Sequence, residues 1–201
     1  MKMDNLQLIS ALSALGEQLD RIGGPAIELI VCGGSALQIL GLVSRTTEDV
    51  DVLALGQTGA ASSVEPLPAD PLPKDLLSAA SIVARDFDLE PHWLNNKAAL
   101  AKQRLPEGLC ERLHSKRYGD RLTIHAIDRF DQICLKLHAV VDRDSSSHHL
   151  QDLLALRPSQ EEMTKAKDWC LSQDAGEGFS SWLKSCLAKI GYSNVVESIE
   201  G

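Results

Sequence analysis

Leucine or isoleucine recurs at positions 6, 8, 9, 12, 15, 19 and 22. Spacings of three and four predict an amphipathic helix over 4–22, and Gly23-Gly24-Pro25 ends it. Ile27-Glu28-Leu29-Ile30-Val31-Cys32 reads as a buried strand. A short helix over about 35–41 and a second strand over 49–55 follow. Gly56 to Pro73 is rich in Gly, Ala, Ser and Pro and predicts a long loop over 56–73, either a lid or an unstructured insertion. Lys74 to Asp88 predicts a helix with Leu76, Leu77, Ala80, Val83, Ala84 and Phe87 on its apolar face. Pro91-His92-Trp93-Leu94-Asn95 is expected to lead into a further helix.

Leu122 to Ile127 alternates weakly and predicts a strand. Asp128 is placed to cap a helix over 129–141, with Ile133, Leu137, Val140 and Val141 inward. Beyond Arg157-Pro158, Ser159 and Glu162 form a capping-box pattern. A helix to about Ser172, another to about Gly191 and a short one over 193–200 complete the chain. The predicted class is α/β of the α+β kind: a small mixed sheet flanked by helices, with a C-terminal helical extension. The expected division is 1–157 and 158–201.

Composition narrows the picture. With 44% apolar residues the chain can bury a sizeable core, built mostly from aliphatic side chains because aromatics make up only 4%. No apolar run approaches the ~20 residues of a membrane helix. The start, Met-Lys-Met-Asp-Asn, leads into no signal-peptide apolar region. Five scattered cysteines without a Cys-x-x-Cys pair read as reduced thiols, and the expected location is cytoplasmic. The net charge of −8 disfavours a general grip on nucleic acid, but 97–121 holds seven basic against three acidic residues. That +4 segment is a candidate phosphate-binding patch. His125 and His138 read as structural histidines, and His148-His149 as a loop feature.

Candidate chemistry gathers in 31–53. Asp49 and Asp51 lie two apart on a predicted strand, which turns both carboxylates to one face with Cα atoms roughly 6–7 Å apart. Mg²⁺, or Mn²⁺ in its place, suits carboxylate oxygens completed by substrate phosphates. Val50 and Val52 would face the core. Gly33 and Gly34 would let the backbone approach a ligand closely. Ser35 could cap the following helix and meet a phosphate. Arg45 and Thr47 lie between turn and carboxylates, and no Gly-Lys-Ser/Thr of a Walker loop follows. On the later helix Lys136 and Arg143 fall on one stripe, two cations able to clamp a triphosphate.

The run apolar-Gly33-Gly34-Ser35-Ala36, then Arg45-x-Thr47-x-Asp49-x-Asp51, resembles the nucleotidyltransferase superfamily with the polymerase-beta-type fold. It looks most like the abortive-infection-type nucleotidyltransferase toxins and their relatives. The resemblance continues through Asp128-Arg129-Phe130-Asp131, Lys136, Asp142-Arg143 and Asp152-Leu153-Leu154, covering about 27–156. Relatives commonly show a stretch similar to Trp93-Leu94-Asn95. The resemblance implies that sheet fold, with Asp49 and Asp51 as metal ligands and catalytic residues. Lys136 and Asp152 complete the catalytic set, and Gly33, Gly34, Ser35, Arg45, Thr47 and Arg143 bind nucleotide. Many superfamily members carry a third carboxylate on a later strand; here His125 occupies that strand, as the toxin-like families also lack the acid. The implied reaction moves a nucleoside monophosphate from an NTP to a hydroxyl of RNA (tRNA) or protein, with an antitoxin as a further partner. Two alternatives stand beside it: a non-catalytic nucleotide- or partner-binding protein on the same fold, and a sugar-nucleotide transferase using Asp-x-Asp. The Gly-Gly-Ser turn and short chain disfavour the latter.

Overall fold

The computed structural model describes residues 2–59, 63–99, 105–143 and 148–197, with the side chains of 142, 143 and 197 outside the description. It is an α+β protein with eight α-helices and a six-stranded mixed sheet among the described residues. The chain forms two compact units, Met1–Lys102 with Gly108–Asp128, and Gln103–Glu107 with Arg129–Gly201.

The first unit runs α1 (Asn5–Ile22), β1 (Ile27–Cys32), α2 (Gly33–Ile39), β2 (Val50–Thr58), β3 (Val64–Leu67), α3 (Lys74–Asp86), β4 (Leu94–Asn95), a 3₁₀ turn at Cys110–Arg112, β5 (His114–Tyr118) and β6 (Leu122–Ala126). The sheet order is β3-β2-β1-β6-β5, with β4 paired to β2 at its start. β1 pairs antiparallel with β2 and parallel with β6. Leu29 and Val31 of β1, Val50 and Val52 of β2, and Leu122, Ile124 and Ala126 of β6 turn to one face. There they meet the buried leucines of α1 and the apolar face of α3. α1 starts where its sequence says it should: Asp4 and Gln7 form a reciprocal capping box. Trp93 is 1% exposed and donates through its indole N–H to the Ala80 carbonyl at 3.0 Å, so it belongs to the core.

Three sequence expectations change here. The stretch from Gly56 is not a long loop. β2 continues to Thr58 and turns back as β3, with Leu55 opposite Leu67 and Thr58 opposite Val64. Val64 supplies a buried anchor, and Pro66 is tolerated because β3 is an edge strand. Residues 60–62 lie outside the described residues. The helix expected after Asn95 is absent among the described residues, where Leu94 and Asn95 instead pair with Val50 and Asp51 and turns follow. Within the charged segment 97–121 lies a strand, β5, which the polar sequence His-Ser-Lys-Arg-Tyr did not mark. Lys102 and Arg104 of that segment lie outside the described residues.

The second unit is helical: α4 (Arg129–Arg143), α5 (His148–Ala155), α6 (Gln160–Gln173), α7 (Glu177–Lys189) and α8 (Ser193–Glu197). α4 packs against α5, α6 and α7, and Ile133, Leu137 and Val140 on it are buried, as are Leu153, Met163, Cys170 and Leu183 on its neighbours. His148 and His149 open a helix rather than sitting in a loop. None of the five cysteines is joined in a disulfide. No helix among the described residues is long and apolar enough to cross a membrane.

The capping box of α6 carries a pH signature. Ser159 accepts from the Glu162 N–H, and Glu162 accepts from the Ser159 N–H at 2.8 Å and from Arg129. Burial alone would raise the Glu162 pKa, but the bonds from Arg129 and Ser159 outweigh it and hold the carboxyl below its ordinary value. A depressed folded-state pKa adds stability that is complete above the unfolded value and lost as pH falls through the folded one. Glu162→Gln is therefore expected to be less stable than wild type near pH 7. That gap should close progressively below about pH 4.5 in urea titrations. A gap independent of pH would show that the ionised carboxylate contributes nothing.

Candidate functional site

The site is built at the C-terminal end of β1. Cys32 pairs with Asp51 of β2, and the chain turns directly into α2 at Gly33. Gly33 has φ +73°, a left-handed conformation that L side chains rarely adopt. A Cβ there would lie 2.7 Å from Asp51 Oδ2; at Gly34 one would lie 2.8 Å from Thr47 Oγ1 and 3.1 Å from an Arg45 guanidinium nitrogen. The two glycines are thus where Asp51, Thr47 and Arg45 close on the backbone. Residues separated by 11 to 18 positions in sequence meet at one turn.

The approach to β2 is fixed by buried hydrogen bonds. Met3 and Thr47 exchange backbone bonds, at 2.6 and 2.9 Å, in a short antiparallel bridge. Gln38, 1% exposed on α2, donates to the Arg45 carbonyl at 2.5 Å and the Met3 carbonyl at 3.1 Å. Thr47 Oγ1 donates to the Asp49 carbonyl at 3.1 Å. These contacts hold 45–49 in one path, so the two carboxylates enter on a fixed register. A bulge in the β1–β2 ladder follows, where Ile30 pairs with Ala54 and Val31 with Val52. Such bulges re-aim neighbouring side chains.

Asp49 and Asp51 share a face. Val50 and Val52 are both fully buried in the α1/α3 core, so the intervening positions turn away from it. Asn95 is the register partner of Asp51 on β4, and its amide nitrogen reaches Asp49 Oδ2 at 3.2 Å. The amide's orientation is set by its oxygen, which accepts from the Lys97 N–H at 3.0 Å. Both aspartates are half-buried. Sequence reasoning quoted Asn95 without giving it a role. The signal that could have found it was its place beside the carboxylate strand, which only the β4 pairing reveals.

The remaining candidates fall into three groups. Ser35 does not cap α2, because the helix begins two residues earlier with Cys32 at its cap. Its hydroxyl is fully buried and donates to the Cys32 carbonyl at 3.3 Å. Lys136 and Asp152 are brought together inside the second unit, where Lys136 Nζ donates to Asp152 Oδ2 at 2.7 Å with both side chains buried. The Arg143 side chain lies outside the described residues.

The donor set suits a hard cation. Two half-buried carboxylates on one face, completed by phosphate oxygens and water, match the usual Mg²⁺ arrangement. Among the described residues there is no group of three or more His, Cys, Asp or Glu able to hold a metal by itself. A metal would therefore depend on its substrate for ligands. Compared with family models, curated proteins and solved structures, the chain matches none of them.

Proposed function

We propose that the chain is a metal-dependent nucleotidyltransferase of the polymerase-beta-type fold. It would transfer a nucleoside monophosphate from an NTP to a hydroxyl of RNA, such as a tRNA end, or of a protein. A cytoplasmic toxin held by an antitoxin is the biological role in keeping with the sequence resemblance. The observation that carries the reading is the turn at Gly33 and Gly34, where absent side chains leave Asp51, Thr47 and Arg45 packed on bare backbone. Asp49 and Asp51 would hold Mg²⁺ or Mn²⁺, which when bound neutralises triphosphate charge. Arg45 adds a cation beside the glycines. Ser35, Lys136, Arg143 and Asp152 belong to the proposal through the resemblance alone, and 97–121 through its charge.

A second reading is a nucleotide-binding protein without turnover. The two-carboxylate donor set among the described residues favours it. Pyrophosphate release separates the two. Each of the four NTPs is incubated with Mg²⁺ and the protein, with and without total tRNA, alongside Asp51→Ala. Release that requires both tRNA and Asp51 supports the transferase with an RNA acceptor. NTP binding in calorimetry with no release under any condition supports the second reading. Neither binding nor release would sink both.

A further inference from the structure

A hydrogen-bonded row crosses four strands of the first unit, away from the aspartate pair. Ser115 Oγ on β5 lies 2.7 Å from His125 Nδ1 on β6. His125 Nε2 lies 2.9 Å from Glu28 Oε2 on β1, and the same oxygen accepts from Thr58 Oγ1 on β2 at 2.7 Å. Glu28 is four residues before Cys32, the register partner of Asp51, so the row lies about 13 Å along the strand from the aspartate.

The proton pattern follows from the chemistry of the groups. An ionised carboxylate only accepts, so Glu28 holds the hydrogen of a neutral His125 on Nε2. Nδ1 then presents its lone pair, and the Ser115 hydroxyl is the donor to it. This is the polarity of a serine nucleophile, base and orienting carboxylate, which is recognised by geometry and roles. Burial would raise the Glu28 pKa, but bonds from Thr58 and His125 hold it below the ordinary value, keeping the carboxylate charged.

Exposure is distributed as that chemistry needs. The His125 side chain is 3% exposed and Glu28 21%, whereas Ser115 is exposed. Space for the ring is provided by Gly56, where a Cβ would lie 3.2 Å from His125 Cδ2 and 3.1 Å from Glu28 Cβ. β5 ends the sheet order, so beyond Ser115 the sheet has no further strand among the described residues.

We propose that Ser115 is an activated nucleophile that takes an acyl group from an ester, with His125 as its general base and Glu28 as a positioning residue. Ser115 Oγ bonds to the carbonyl carbon as its proton passes to His125 Nδ1. The carbon–oxygen bond to the leaving alcohol breaks, and that oxygen takes the proton from His125. Water then attacks the acyl-serine by the same route, releasing the acid and restoring the serine. The assignment is independent of the nucleotide reading.

The test uses p-nitrophenyl acetate with the full chain, following nitrophenolate release and mapping acetylation by peptide mass. The expected result is rapid acetylation of Ser115, absent in a Ser115→Ala chain that keeps the wild-type circular-dichroism spectrum. Glu28→Asp keeps the charge and Glu28→Gln keeps the length. Retention of more rate by Asp than by Gln supports an electrostatic role, with Gln at least tenfold slower than wild type. The opposite order would mark Glu28 as merely structural and overturn the assignment. Acetylation confined to lysines, or Ser115 labelling no faster than in urea-unfolded chain, would also overturn it.

Discussion

Asp152→Ala is expected to destabilise the helical unit by about 3–5 kcal/mol, the effect of leaving one buried charge unpaired. The Lys136 and Asp152 side chains are 5% and 1% exposed, and the ion pair spans 2.7 Å. Removing the carboxylate leaves a nearly fully buried ammonium without its 2.7 Å partner. Lys165 and Glu161 on α6 give the contrast: also 2.7 Å apart, but 62% and 78% exposed. Such an exposed, solvent-screened pair contributes little, so Glu161→Ala should be nearly silent. Urea unfolding of both variants checks the claim, and an Asp152→Ala loss below about 1 kcal/mol would mean the pair is not desolvated in solution.

The double variant Lys136→Met with Asp152→Leu extends the argument. Replacing a whole buried pair by apolar groups of similar volume is often neutral or stabilising. Recovery of stability in the double variant would mean that the fold does not require this pair. If pyrophosphate release is then lost while stability is kept, the pair's role lies in the chemistry. If release also survives, Lys136 and Asp152 leave the proposed catalytic set.

The sequence carried some of this well and some of it not at all. α1, β1 and β6 were legible because leucine spacing and aliphatic runs report one-sided or two-sided burial directly. The α6 capping box was legible because Ser159 and Glu162 act locally, within one turn. β5 was hidden because four of its five residues are polar and exposed; it is a strand through its ladder to β6. The β2–β3 hairpin was masked by Gly and Pro, which signal loops but are tolerated on an edge. In the site, Asp49 and Asp51 on one face followed from strand period alone. The contacts of Asn95 and Gln38, and the row from Ser115 to Thr58, join elements distant in sequence, which periodicity does not report.

Within the nucleotidyltransferase proposal, Gly33→Ala should do to activity what Asp51→Ala does. Removing Asp51 takes away one of two metal-binding carboxylates. The expected fall in pyrophosphate release is about a thousandfold, equivalent to about 4 kcal/mol of transition-state stabilisation. Gly33→Ala leaves that carboxylate in the sequence but asks an L residue to hold φ +73°, costing about 1–2 kcal/mol. It also places a methyl group 2.7 Å from Asp51 Oδ2, a distance real contacts do not sustain, so the carboxylate must move. Gly41 separates the two effects. Its φ is +68°, and a Cβ there meets nothing within 4 Å. Gly41→Ala should therefore carry the same backbone penalty with no displaced ligand, losing stability while keeping Mg²⁺-NTP binding and release. Equal activity in Gly33→Ala and Gly41→Ala would show that contact between turn and carboxylate is irrelevant to the reaction. A selective loss in Gly33→Ala, matched by Asp51→Ala and by weaker Mg²⁺-NTP affinity in calorimetry, would tie the turn's bare backbone to the metal it is proposed to serve.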